Sequence, residues 1–183
     1  DWPNMSYDEL FSVNKVLNEY DFPPLELLHF LLIELKLARH YKGQFKITKR
    51  GAELLANPSQ LLNTLVSFYI LNMDHSSYSR SGEQALGTWD VWLNILNVEA
   101  ENAATELELY QVFYGPLSDE PMAWRATSAF YSCVLLPLCW AGLLLEHKDQ
   151  GSERSDAVYL KTPLWPAWLQ LETDGIVEPA QRH

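Results

Sequence analysis

Apolar residues recur at intervals of three and four near the start of the chain. The positions with this spacing are Leu10, Val13, Leu17 and Tyr20. Ser6 and Glu9 form an S-x-x-E pair ahead of them, which is the pattern of a capping box at a helix N-terminus. The spacing and the cap together predict a first helix over residues 6–20.

A second helical segment is apolar almost all round. Pro23 and Pro24 suit its first turn, and leucine, isoleucine and phenylalanine occupy most positions over residues 25–37. A surface helix carries a polar face, and this segment lacks one. We therefore expect a buried core element rather than a surface helix.

Polar and apolar residues alternate on both sides of Gly43. A period of two is typical of strands, and a glycine between two such runs is typical of a tight turn. The pattern predicts a short β-hairpin with strands over residues 38–42 and 44–48.

Two further helices follow the hairpin. Thr48 can cap the first of them, which should stop at Asn57, and Pro58 suits the first position of the next, which should end near Asn72. Residues 74–82 are polar, Ser-rich and without periodicity, which favours a linker or long loop.

We place a domain boundary near residue 80. It gives a first helix-and-hairpin unit over residues 1–80 and a second, helix-rich unit over residues 81–183.

The second half is predicted to be mostly helical. Residues 88–98 have helical spacing, whereas residues 105–110 alternate as a strand would. The Ala- and Glu-rich stretch before residue 105 favours a helix there. Gly115 breaks the chain, and a long apolar segment over residues 122–145 follows, in which Pro137 should kink or end a turn.

The pattern of the first hairpin returns near the end of the chain. Two strand-like runs flank a polar loop within residues 143–161, and a threonine that can cap a helix follows. Leu37 aligns with Leu143 at an offset of 106, and Thr48 aligns with Thr162 at an offset of 114. The chain therefore contains an internal repeat whose second hairpin loop is eight residues longer.

The segment LIELKLARHYKGQFKITKRGAELL resembles the wing region of the winged-helix superfamily. Thr48 and Gly51 stand where such units commonly read T-x-x-G at the start of the last helix, and Trp165 replaces the glycine in the second copy. With its YLKTPLWPAWLQ ending, the whole chain also resembles an uncharacterised bacterial family of tandem winged-helix modules, associated with the C-terminal part of plasmid open-reading-frame-3-like proteins. The resemblance implies a mostly α fold with two small β-hairpin wings. It implies no catalytic residues and no cofactor.

Composition limits the classes of protein to which the chain can belong. The chain has 183 residues, of which 48% are hydrophobic. A chain of this length can bury roughly 70% of its unfolded surface. There is no uninterrupted run of 18 apolar residues, so we expect no membrane span. Cys133 and Cys139 lie on different faces of a predicted helix, which argues against a disulfide and favours a cytoplasmic protein. The net charge of −11 disfavours nucleic-acid binding over the whole surface.

One segment has the opposite charge. Residues 36–50 contain six basic residues and no acid, which leaves seven basic residues against 24 acids elsewhere. The candidate site residues for an anion or a partner are Lys42, Lys46, Lys49 and Arg50. They could contact nucleic-acid phosphates, weakly and with strong salt dependence, or they could pair with an acidic surface of this chain or of a partner. We favour the acidic surface.

No arrangement of residues predicts catalysis or metal binding. The chain has no nucleophile motif, no phosphate-binding glycine loop and no metal-ligand spacing. We expect His29 to be a core residue with its hydrogen bonds satisfied, and the acidic residues between Glu99 and Glu108 to form a solvated helix face. The seven tryptophans favour core packing over a ligand pocket, although some of them could form a docking patch.

These patterns favour a non-enzymatic tandem winged-helix module that acts through protein contacts, either with a partner or with a neighbouring domain of a longer chain. A transcription-related DNA-binding protein that contacts phosphates through its basic first wing is the alternative. An apolar helix ahead of the wing offers few hydrogen-bonding groups to bases, so base-specific reading is not expected. An enzyme ranks third.

Overall fold

The computed structural model describes residues 18–79, 82–149 and 156–176. The chain divides into two compact units, Asp1–Ser67 and Phe68–His183. The predicted boundary near residue 80 refers to domains that fold independently, whereas this division refers to compactness. The boundary near residue 80 therefore stays a prediction.

From residue 18 onward, the first unit is built from helices and an antiparallel hairpin. Its elements are α1 (Pro23–Glu34), β1 (Ala38–Tyr41), β2 (Gln44–Ile47), α2 (Lys49–Leu55) and the first part of α3 (Pro58–Asn72). The helix predicted over residues 6–20 lies almost entirely outside the described residues, and the last part of that range belongs to a 3₁₀ turn at Glu19–Asp21. The structure confirms that helices begin at Pro23 and Pro58 and that a hairpin turns around Gly43.

The prediction that α1 is a buried core element is wrong. Only Leu31 is buried within this helix, whereas Leu25, Leu28 and Phe30 are 46%, 41% and 47% exposed. A helix that is apolar all round is buried only when other elements surround it, and a two-stranded hairpin covers one side. The apolar character of α1 therefore remains on the surface of the described part of the unit.

The hairpin has a tight two-residue turn. Lys42 and Gly43 both have positive φ, 51° and 73°, as a type I′ turn requires. The register pairs Arg39 with Lys46 and His40 with Phe45. Because side chains alternate along a strand, these two pairs lie on opposite faces of the hairpin.

The second unit is larger and mostly helical. Its elements after α3 are α4 (Trp89–Glu99), β3 (Ala104–Thr105), α5 (Glu106–Tyr114), α6 (Trp124–Phe130), α7 (Leu136–Trp140), β4 (Leu144–His147), β5 (Val158–Lys161) and α8 (Leu164–Trp168). The strand order is β3-β5-β4, with both pairs antiparallel. The preference for a helix after residue 105 is confirmed, since Thr105 and Glu108 form a capping box at the start of α5.

A π turn at Tyr131–Leu135 separates α6 from α7. Pro137 lies in the first turn of α7, and its nitrogen cannot donate to the carbonyl four residues earlier. A π turn places the irregular hydrogen bonds where that donor is missing. The turn that was expected to end near Pro137 is a π turn whose last residue, Leu135, lies two residues before the proline.

Two predictions for the second unit need correction. Residues 74–82 are not simply a loop, because His75–Tyr78 forms a 3₁₀ helix and His75 is 5% exposed. The acidic stretch is not fully solvated, since Glu106 is 5% exposed and Glu101 forms an ion pair with Lys161. Both predictions took a polar sequence to mean solvent exposure, whereas contacts made by the folded chain cover these side chains.

The internal repeat is visible in the hydrogen bonds. The Thr48 N–H donates to the Leu37 carbonyl at 2.9 Å, and the Thr162 N–H donates to the Leu143 carbonyl at 3.0 Å. The Thr48 hydroxyl also donates to the Lys36 carbonyl at 2.7 Å, and the Thr162 hydroxyl donates to the Gly142 carbonyl at 2.6 Å. The residue that carries this carbonyl has positive φ in both copies, 57° and 75°. Both copies therefore end the helix, enter the hairpin and leave it in the same way.

The core of the second unit is aromatic and aliphatic. Its largest fully buried side chains include Trp165, Tyr159, Phe130, Leu109 and Leu138. Cys133 and Cys139 are both free thiols, as expected. Within residues 18–79, 82–149 and 156–176, every helix is too short or too polar to cross a bilayer.

Candidate partner-binding surface

Three cations surround one exposed aromatic ring on the first hairpin. The charged groups of Arg39, Lys42 and Lys46 lie 5.4, 5.4 and 5.5 Å from the centre of the Tyr41 ring, which is itself 45% exposed. Among the described residues, no carboxylate lies within ion-pair distance of these cations. We call these four residues the cationic hairpin face.

The structure brings together only part of the predicted set. Lys42 and Lys46 belong to the cationic hairpin face, whereas Lys49 and Arg50 lie in the first turn of α2. Lys49 forms a solvent-exposed ion pair with Glu53 at 3.8 Å. The Thr48 hydroxyl already accepts the Gly51 N–H at 3.1 Å, so the helix start offers an anion fewer free donors than expected.

Arg39 is the member that the candidate set omitted. It lies two residues before Tyr41 on the same strand and pairs across the hairpin with Lys46. Alternation along β1 places Arg39 and Tyr41 on one face. A turn at Gly43 implies the strand register that pairs Arg39 with Lys46, so the sequence contained enough information to include Arg39.

The opposite face of the hairpin carries a histidine pair. His29 of α1 and His40 of β1 lie with their Nε2 atoms 3.0 Å apart, and His29 Nδ1 lies 2.5 Å from Glu19 Oε1. Phe45 contacts both imidazoles, with ring centres 4.6 and 5.3 Å away. His29 is therefore hydrogen-bonded as predicted, but its side chain is 29% exposed and is not a core residue.

A cleft of ≈ 360 Å³ opens in the second unit. Its walls include Leu71, Asp74, Trp89, Trp92 and Cys133. Burial raises the pKa of the Cys133 thiol, so this sulfur is a poor nucleophile at neutral pH.

His75 also borders this cleft, but its buried ring nitrogens have no hydrogen-bond partner of good geometry. Burial lowers its pKa, and the opposing effect of the Tyr69 and Ile70 carbonyls is smaller. The imidazole is therefore neutral at pH 7. With a protonated thiol and a buried imidazole, the cleft holds no activated nucleophile in the described part of the chain.

Comparisons with known proteins identify relatives without an assigned activity. Residues 1–60 match the Y4jL N-terminal domain, and residues 79–163 match the y4jL C-terminal domain. The chain is 33% identical over 115 residues to "Uncharacterized protein y4jL" of Sinorhizobium fredii. The aligned region covers 62% of this chain and 52% of that protein. The chain thus spans about half the length of the curated relative that it matches. No solved structure is significantly similar to it.

The two domain matches follow each other in the expected order and together span well over half of the chain. By these matches the chain belongs to the y4jL family, an uncharacterised bacterial family.

Proposed function

We propose that this chain is a non-enzymatic tandem winged-helix module, of the kind associated with the C-terminal part of plasmid open-reading-frame-3-like proteins, and that it binds a protein partner or a neighbouring domain through its first unit. The free thiols of Cys133 and Cys139 support a cytoplasmic location. The repeated capping pattern at Thr48 and Thr162 supports a duplicated helix-and-wing unit.

The exposed apolar surface of α1 carries the proposal. Leu25 and Leu28 are three residues apart on one side of the helix, and both are close to half exposed. The hairpin adds Phe45 and Ile47, at 46% and 55% exposed. Covering one half-exposed leucine contributes roughly 1 kcal/mol. Apolar surface concentrated in this way is typical of a protein-contact surface.

The charge of the cationic hairpin face supports an acidic partner. Arg39, Lys42 and Lys46 have no carboxylate beside them in the described residues, while the chain outside residues 36–50 carries 24 acids against seven basic residues. Charge complementarity of this kind speeds association and selects partners. An acidic protein surface, rather than a neutral one, is the partner that fits.

Paired variants test the protein-contact function. The double substitution Leu25→Ser with Leu28→Ser removes apolar surface from α1, and Leu86→Ser, at a side chain that is 79% exposed in the second unit, is the matched control. Light scattering over a concentration series measures self-association, and quantitative capture from lysate measures partner binding. We expect the double variant to weaken the association about thirtyfold, because roughly 1 kcal/mol is lost at each of the two positions, and the control to leave it unchanged. A chain that is monomeric and partner-free, or equal binding by all three proteins, contradicts the proposal.

DNA binding through the wing is the second candidate, and the cations of the hairpin favour it. Three phosphate contacts give a slope of log affinity against log salt of about −3 on a random duplex. Lys42→Glu with Lys46→Glu should abolish this binding, whereas Lys49→Glu with Arg50→Glu, an equal change of charge at α2, should weaken it far less. No binding at low salt removes this candidate, and equal losses in both variants remove the hairpin as its site.

A further inference from the structure

The histidine pair of the first unit brings two imidazole nitrogens within hydrogen-bond distance of each other. Glu19 Oε1 lies 2.5 Å from His29 Nδ1, and His29 Nε2 lies 3.0 Å from His40 Nε2. The three side chains come from a 3₁₀ turn, from α1 and from β1, so the fold, rather than a local motif, brings them together.

The tautomer of a neutral His29 ring follows from its carboxylate neighbour. A carboxylate accepts the Nδ1 proton, so the neutral imidazole presents a lone pair at Nε2. This nitrogen lies 3.0 Å from His40 Nε2. Two imidazole nitrogens at this distance share either one proton or one metal ion, since two lone pairs or two protons would repel.

The distance between the two nitrogens is short enough for adjacent ligands on one ion. Metal–imidazole bonds are about 2.1 Å long, so an N–N separation of 3.0 Å corresponds to a ligand–metal–ligand angle of about 90°. A tetrahedral zinc site would separate the nitrogens by about 3.4 Å. Right-angled nitrogen ligands suit tetragonal Cu²⁺ and Ni²⁺.

The surroundings fit a solvent-open site. His40 is exposed, and Phe45 packs edge-on against His29 with ring centres 4.6 Å apart, which restricts the imidazole. Among the described residues, no group of three or more His, Cys, Asp or Glu side chains is arranged to hold a metal, so water would complete the coordination. A carboxylate behind a ligating histidine is a common arrangement that fixes the tautomer of the ring.

We propose that His29 Nε2 and His40 Nε2 bind one Cu²⁺ or Ni²⁺ ion as neighbouring ligands, with Glu19 positioning His29. No net proton need be released from neutral histidines, because the Nε2 proton of His40 moves to its Nδ1. The ion then links α1 to the hairpin on the face opposite the cationic hairpin face.

Copper titration of the untagged chain tests this site. Calorimetry and electron paramagnetic resonance with Cu²⁺ should show one equivalent bound through two imidazole nitrogens. His40→Ala, at an exposed position, should weaken binding about a hundredfold and leave one nitrogen, since the chelate is lost. Glu19→Ala should weaken it about tenfold to a hundredfold.

His147→Ala is the matched control. His147 is exposed in the second unit and lies 3.8 Å from Asp149, so it is a histidine beside a carboxylate, and no second imidazole contacts it among the residues that the structure describes. We expect this variant to bind Cu²⁺ as the parent does. Unchanged binding in His40→Ala, an equal loss in His147→Ala, or a parent spectrum with a single nitrogen overturns the proposal, and circular dichroism of each variant shows that it is folded.

Discussion

Asn97 is the residue whose truncation should destabilise the second unit most clearly through hydrogen bonding. Its side chain is 2% exposed in α4. The amide nitrogen donates to Thr173 Oγ1 and Asp174 Oδ1, both at 3.0 Å, and the amide oxygen accepts from the Trp165 indole at 2.9 Å. Lys161 Nζ donates to the same oxygen at 3.1 Å and to the backbone carbonyl of Asn97 at 2.6 Å.

The magnitude follows from what Asn97→Ala leaves behind. The indole of Trp165, a residue that is 1% exposed, loses its acceptor, and an unsatisfied buried donor costs about 1–3 kcal/mol. The two bonds to Thr173 and Asp174 contribute about 1 kcal/mol each. Lys161 keeps the backbone carbonyl of Asn97 and its ion pair with Glu101, so its loss is small. We expect the free energy of unfolding to fall by about 3–5 kcal/mol.

Urea unfolding, followed by tryptophan fluorescence and far-ultraviolet circular dichroism, measures the loss. A double-mutant cycle with Trp165→Phe isolates the indole, since the second substitution removes the donor that Asn97→Ala leaves unpaired. Asn97→Ala should therefore cost about 1–2 kcal/mol less in the Trp165→Phe background. A loss below about 1 kcal/mol, or the same loss in both backgrounds, refutes this account of the network.

Two further predictions concern single side chains. Thr48→Ala should lower the free energy of unfolding of the first unit by about 1 kcal/mol, because the Gly51 N–H loses its cap. Thr48→Ser keeps the hydroxyl and should retain most of that stability. Equal urea midpoints for the two variants would contradict the capping role. For His75, burial holds the pKa below its ordinary value, so the unfolded chain binds the proton more readily and stability is lost as the pH falls below about 6.5. His75→Phe keeps the aromatic contacts with Tyr69 and Trp89 and should reduce the difference between the urea midpoints at pH 7.5 and 5.5. An unchanged difference would exclude His75 as the source of the pH dependence.

Local patterns predicted most elements well, because their causes lie within a few residues. The turn at Lys42 and Gly43 needs positive φ at neighbouring positions, and the helix starts at Pro23 and Pro58 need only a preset φ and a dispensable N–H. The capping role of Thr48 depends on one residue three positions away. Interactions this local can be predicted from the order of residues alone.

The candidate site was predicted in part. The basic run and the hairpin were visible in the sequence, but the separation of Lys42 and Lys46 from Lys49 and Arg50 depends on where β2 ends and α2 begins. Arg39 joins the cluster through cross-strand register, which alternation could have revealed.

Burial and long-range pairing are properties of the folded chain. α1 is as apolar as a core helix, yet the exposure of Leu25 and Leu28 is decided by how few elements cover them in the described part of the unit. His29 and His40 are 11 residues apart and meet only because the hairpin packs against α1. Hydrophobicity and spacing act along the chain and so are encoded locally, whereas solvent exposure and contacts between distant residues depend on which surfaces the complete fold brings together.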